Sequence, residues 1–129
     1  MKIKIDFFSE KIIEAISAGI YQVSVRHNGK EEILYIGESV FVLVRCGAHL
    51  FELKKTPEYF GFNDETINNE KIILKFELLE AVDNMADRKR KEKEMIQEKN
   101  PMLQSGISDR MKSVEEKIQA LTTFLEGGE

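Results

Sequence analysis

Residues 19–49, GIYQVSVRHNGKEEILYIGESVFVLVRCGAH, decide how this chain folds. Ile20, Val23 and Val25 lie on a run rich in β-formers. Asn28-Gly29 then supplies a two-residue turn whose positive φ angles suit type I′, and Ile33, Leu34 and Ile36 return on a second strand. The hairpin carries two tyrosines near glycines, in Gly19-Ile20-Tyr21 and Tyr35-Ile36-Gly37. Behind it stand Arg45 and His49, four residues apart and therefore on one face if that stretch is helical.

Outward from the hairpin the periodicities change. Met1 to Phe8 alternates as a short strand, with Ile3, Ile5 and Phe7 set against Lys2, Lys4 and Asp6. Ser9 is read as the N-cap of a helix carrying Ile12, Ile13 and Ile16, which Gly19 ends. Residues 39–55 are locally ambiguous. Val40, Val42 and Val44 favour strand by propensity, whereas a Ser39 cap and the stripe Val42, Arg45, Cys46, His49, Leu50, Leu53 favour helix. Pro57 closes that element, residues 57–70 read as a polar loop with aromatics at Tyr59, Phe60 and Phe62, and Lys71 to Leu79 reads as a buried strand.

Residues 84–100 are expected to form a helix that Asn100-Pro101 stops, because the residue before proline avoids helical geometry. Met85, Arg88, Glu92, Met95 and Ile96 share one face of it. Glu92 therefore points with the apolar side, and a carboxylate there needs a partner such as a cation. Residues 107–126 are expected to form a third helix, with Met111, Val114, Ile118, Leu121 and Leu125 stepping as a heptad seam. Two readings of that seam stand side by side: docking onto its own domain, or a homodimer or partner-protein contact.

Composition bounds the function classes. At 129 residues and 42% hydrophobic content the chain suits one globular domain with one appendage, and disorder is not indicated. No apolar run approaches the roughly 18 residues of a membrane span. The N-terminus has acids where a signal peptide's apolar core belongs, and Cys46 is the sole cysteine, so a cytoplasmic setting is expected. The net charge of −4 argues against broad non-specific affinity for phosphate backbones. Charge is nonetheless uneven, with Arg88, Lys89, Arg90, Lys91 and Lys93 clustered on one helix. A solvated helix face and a DNA-facing one are equally good readings of that cluster.

The paired triplets, with Arg45 ten residues and His49 fourteen residues after Tyr35, resemble the GIY-YIG nuclease family. The likeness continues in Glu92, with Ile96 four residues on, Pro101 five beyond that, and Gln104 twelve after the glutamate, where asparagine is commoner in the family. It spans about residues 18–104. One departure stands out: many relatives carry lysine three residues after the second tyrosine, and this chain has Glu38. An acid near the phosphate would repel substrate unless it bound a metal or turned away.

The resemblance implies an α/β (α+β) nuclease domain over 1–106, a small, mostly antiparallel three-stranded sheet flanked by helices, followed by a C-terminal amphipathic helix over 107–129. It implies hydrolysis of DNA, duplex or branched, with one Mg²⁺ or Mn²⁺ and with 5′-phosphate and 3′-hydroxyl products. Glu92 is the implied metal ligand, as a hard oxygen donor to an ion that keeps most of its waters, with Glu38 a weaker alternative. Arg45 would neutralise charge on phosphate oxygens through its fork of donors. Tyr21 would position or deprotonate the attacking water, provided that the metal or Arg45 lowers a phenol pKa ordinarily near 10. Tyr35 would bind phosphate or share the proton, and His49 would relay a proton or bind phosphate. Gly37, Gln104, Arg88 and Lys89 are further candidate substrate contacts. A rival class is a catalytically inactive nucleic-acid-binding or protein-interaction module that retains the fold, with Tyr21 and Tyr35 as strand aromatics and Arg45 and Glu92 as a structural ion pair.

Overall fold

The structure is a computed structural model and describes residues 1–105 and 110–127. The Asn28-Gly29 turn has φ of 54° and 76°, as a type I′ turn requires, and joins β2 (Gly19–His27) to β3 (Lys30–Ser39). On the other side of β2 lies β4 (Ile73–Ala81), also antiparallel, which completes the expected three-stranded unit.

The sheet has a fourth strand. β1 (Lys4–Phe7) pairs parallel to β4, Lys4 opposite Ile73 and Phe7 opposite Phe76, so the sheet is mixed with order β1-β4-β2-β3. This corrects the three-stranded expectation. A parallel pair needs a long crossover, and the whole hairpin and the helix behind it lie between β1 and β4. Among the described residues the fold is therefore α+β, a four-stranded mixed sheet with three α-helices.

Residues 9–18 correct a second expectation. They run as turns rather than a helix, and Ile12, Ile13 and Ile16 are exposed while Ala15 is fully buried. Phe8, at φ 55°, redirects the chain immediately before. A helix this short is marginal in water without a packing face. The carbonyls of Ala15 and Ser17 instead accept from the amides of Leu43 and Val42, the free N-terminal donors of α1 (Val42–Lys55). That explains why Ser39 does not cap the helix: its hydroxyl accepts from the amide of Phe41, the residue at the N-cap.

Side-chain alternation divides the sheet into two faces. Tyr21, Val23 and Val25 point toward α1, where Val42, Cys46, His49 and Leu53 form the buried stripe. A 3₁₀ turn at Pro57–Phe60 follows α1, and Phe60 and Phe62 enter the same core, so residues 57–70 are less polar than expected. The opposite face shows Ile20 and Ile36 to α2 (Met85–Lys99), whose Ile96 packs on them. Asn84 caps α2 through the Asp87 amide and Asn100 ends it in the left-handed region, as the Asn-Pro pair foretells.

The last helix, α3 (Val114–Leu125), starts later than expected, at a capping box made by Ser113 and Glu116. Residues 107–109 of the expected helix lie outside the described residues, and Met111 pairs with Gln104 in an isolated bridge. The buried face is turned from the expected seam: Lys117 and Leu121 are buried while Val114 is half exposed. The helix packs on the Pro57–Phe60 turn, and there is no room for a side chain on Gly61, whose Cβ would come within 2.5 Å of the Lys117 carbonyl oxygen. No helix among the described residues is long and apolar enough to cross a membrane.

Candidate functional site

Register brings the two tyrosines together. Tyr21 pairs directly with Gly37, and Val23 with Tyr35, so both phenols lie on the α1 face, with ring centroids 6.2 Å apart. A bulge sets this arrangement: Val23 faces Tyr35 and Ser24 faces Ile33, which leaves Leu34 as the extra residue. Gly37 serves through its missing side chain. A Cβ there would collide with the Tyr21 hydroxyl, so the ring lies across the glycine.

α1 contributes Arg45 and His49 from adjacent turns of one face. The Tyr21 hydroxyl lies 2.7 Å from His49 Nε2, and the Tyr59 hydroxyl lies 2.7 Å from His49 Nδ1. The imidazole thus joins two phenols in one continuous hydrogen-bond chain, with the Tyr35 ring edge-on to it at 5.3 Å. Tyr21 and His49 are each 1% exposed, whereas Arg45 is exposed.

Burial holds His49 neutral, its pKa lowered to about 4, and the Arg45 charge adds to the effect. The Tyr21 pKa is raised, first by burial and then by Tyr35 and Cys46; Arg45 favours the phenolate by charge and hydrogen bonding but is outweighed. Burial likewise raises the Cys46 thiol, which packs in the core as expected. Burial opposes the Arg45 charge, yet the hydroxyls of Tyr21, Tyr35 and Tyr59 around it more than offset that.

Glu92 rides on α2, whose Ile96 packs on the opposite face of the sheet, and it is half-buried as its helical phase requires. Tyr21, Tyr35, Arg45 and His49 form one cluster, and Glu92 is carried on α2, which packs against β3. Glu38 does turn away from the tyrosines. Its carboxylate lies 2.5 Å from Arg88 Nε and 3.1 Å from Lys89 Nζ, and although burial works to raise its pKa, those hydrogen bonds and charges leave it lowered.

The remaining candidates sit in structural contacts. Arg88 is buried and donates also to the carbonyls of Asp83, at 3.0 Å, and Val82, at 3.3 Å. Arg90 pairs with Asp87 and Lys91 with Glu80, so much of the basic cluster is neutralised by neighbouring acids. Gln104 is buried and bonds the backbone of Ile36 at both ends, its Oε1 accepting from the amide at 2.9 Å and its Nε2 donating to the carbonyl at 2.8 Å.

Two residues that the sequence reading did not place in the site belong beside it. Tyr59 completes the hydrogen-bond chain. Lys117 of α3 donates to the Tyr59 carbonyl oxygen at 2.7 Å, with its ammonium 5.3 Å from the centre of the Tyr59 ring. The sequence signal for Tyr59 was only its place in a short aromatic run after Pro57; for Lys117 it was a lysine on the apolar side of an amphipathic helix. Comparison with family models, curated proteins and solved structures returned no match.

Proposed function

We propose that this chain is a divalent-metal-dependent endonuclease that hydrolyses DNA phosphodiester bonds. The observation that carries the reading is the convergence of Tyr21, Tyr35, Arg45 and His49 from two strands and a helix, with Tyr21 and His49 in direct hydrogen bond. Those residue types match the needs of attack at phosphorus. Arg45, the exposed member, meets the substrate and stabilises the charge that develops on the non-bridging oxygens. Tyr21 orients the attacking water, and its proton has an acceptor already in place at His49 Nε2.

The donor set suits one hard ion. Among the described residues no group of three or more His, Cys, Asp or Glu gathers as a zinc site would, and Glu92 offers a single half-buried carboxylate. Such a ligand fits Mg²⁺ or Mn²⁺, which keeps most of its water shell. Bound to Glu92, the ion would supply positive charge for the developing phosphorane and the leaving oxygen. By the family resemblance the products carry 5′-phosphate and 3′-hydroxyl ends.

A second reading, a module that binds nucleic acid without cutting it, draws on one observation: Tyr21 is 1% exposed, which limits the access of an attacking water to its hydroxyl. One assay separates the two. Supercoiled plasmid and branched oligonucleotides are incubated with Mg²⁺ or Mn²⁺ and the native chain, Tyr21→Phe or Glu92→Ala. Metal-dependent cutting that both substitutions abolish is the expected result. DNA binding with no cutting of any substrate would replace the nuclease by the binding module.

A further inference from the structure

The proposed reaction leaves a proton to be moved. Tyr21 is buried and holds its proton firmly, so a base that passes the proton no further would stall. The hydrogen-bond chain continues past His49. Its other ring nitrogen meets Tyr59, which is half-buried and stands nearer solvent.

Outward transfer sets the direction of the chain: the Tyr21 hydrogen points at His49 Nε2. A neutral imidazole has one donor and one acceptor. Nε2 is then the acceptor, Nδ1 carries the hydrogen, and Nδ1–H donates to the Tyr59 oxygen. The Tyr59 hydrogen is free to face outward.

Resting on the nuclease reading, we propose that Tyr59 is the outer member of a proton relay serving Tyr21, and that Lys117 of α3 holds it in place. In the relay the Tyr21 O–H bond breaks as N–H forms at His49 Nε2. The Nδ1–H bond breaks as O–H forms at Tyr59, whose original proton passes to water. The phenolate at Tyr21 takes a proton from the attacking water and passes it to the leaving 3′-oxygen. The reverse transfer, from water through Tyr59 and His49 to Tyr21, resets the chain. His49 resists holding two protons in its buried site, so it passes one on rather than storing it. Lys117 fixes the Tyr59 backbone by a hydrogen bond to its carbonyl and covers its ring, which makes α3 part of the site.

Two measurements on the full chain test this. Tyr59→Phe removes one oxygen and keeps the ring in place. Two-bond ¹H–¹⁵N spectra of His49 are expected to show the Nδ1–H tautomer in the native chain and a shift toward Nε2–H in Tyr59→Phe. Cleavage kinetics in H₂O/D₂O mixtures are expected to show a curved proton inventory in the native chain and a linear one in Tyr59→Phe, with kcat about 10–100-fold lower and KM unchanged. Lys117→Met is expected to lower kcat in the same direction by a smaller factor. A native Nε2–H tautomer, or kinetics that Tyr59→Phe leaves unaltered while the native chain cuts DNA, overturns the relay alone. Absence of cleavage by the native chain overturns the nuclease reading, and the relay with it.

Discussion

The Tyr21 hydroxyl and His49 Nε2 stand 2.7 Å apart, each residue is 1% exposed, and that burial keeps both groups neutral. His49 stays neutral down to about pH 4, against about 6.5 in an unfolded chain. Between those values the unfolded chain binds the extra proton and the folded chain does not, so stability rises with pH across that window. Stability is therefore expected to be complete above about pH 6.5 and to fall by up to roughly 3 kcal/mol as the pH drops to about 4. Glu38, whose folded pKa is lowered, adds its own loss only as the pH falls below the ordinary carboxylate value of 4.5. Urea unfolding of the native chain and of His49→Gln over pH 4–7 checks this. A slope that persists unchanged in His49→Gln would show that another group is responsible.

Arg88 and Lys89 explain why position 38 holds an acid, Glu38, and why lysine would not serve there. Both cations face its carboxylate, and the Arg88 side chain is 3% exposed. Glu38→Lys would leave a buried guanidinium against a like charge, at an expected cost of about 2–4 kcal/mol. Glu38→Gln, which can still accept from Arg88, is expected to cost about half as much. Denaturant midpoints of the three chains decide this, and a Glu38→Lys variant as stable as the native chain would refute it.

Gly37 is required by the ring of Tyr21 rather than by its own backbone angles, since a Cβ at this position would meet the phenol. Tyr21 cannot swing aside cheaply, being fully enclosed and hydrogen-bonded to His49. Gly37→Ala is expected to cost about 1–3 kcal/mol through overpacking and to weaken the near-ultraviolet circular dichroism of the tyrosine cluster. An unaltered melting temperature and spectrum would mean that Tyr21 has room to move.

Local chemistry was legible in the sequence, and long-range pairing was not. Asn28-Gly29 announced its own turn, Asn100-Pro101 its own helix end, and the stripe from Val42 to Leu53 its buried face, except at Arg45, which is exposed, and Leu50, which is half-buried. The grouping of Tyr21, Tyr35, Arg45 and His49 was an expectation of the resemblance. Strand alternation alone would not have put both tyrosines on one face, because that depends on the bulge at Leu34, which left no mark in composition. The parallel seat of β1 on β4 depends on a crossover that no local pattern encodes. Residues 9–18 carried a helical stripe, but the N-terminus of α1 took their carbonyls. Tyr59 and Lys117 lie 58 residues apart and are joined by a backbone carbonyl, an acceptor that every residue has. Their only signals in sequence were a short aromatic run and the apolar side of a helix.

Gln104 shows how an amide expected to meet substrate can instead finish the sheet. β3 is an edge strand, and the outward amide and carbonyl of Ile36 would otherwise be unpaired. Met102 and Leu103 cover the same edge, their amides donating to the carbonyls of Ile33 at 2.8 Å and Leu34 at 3.0 Å. The Gln104 side chain then takes the part of the next peptide unit, at 2.9 and 2.8 Å and 1% exposed. Gln104→Leu would leave both Ile36 groups buried without partners, costing about 2–4 kcal/mol at about 1–3 kcal/mol for an unsatisfied group. Gln104→Asn is one methylene too short to reach both atoms and is expected to lose about half of that. Hydrogen exchange at the Ile36 amide reports the contact directly: protected in the native chain, it should exchange at least tenfold faster in Gln104→Leu. If exchange there stays slow and the urea midpoint does not move, Gln104 is not what closes the edge, and its amide returns to the list of groups available to a substrate.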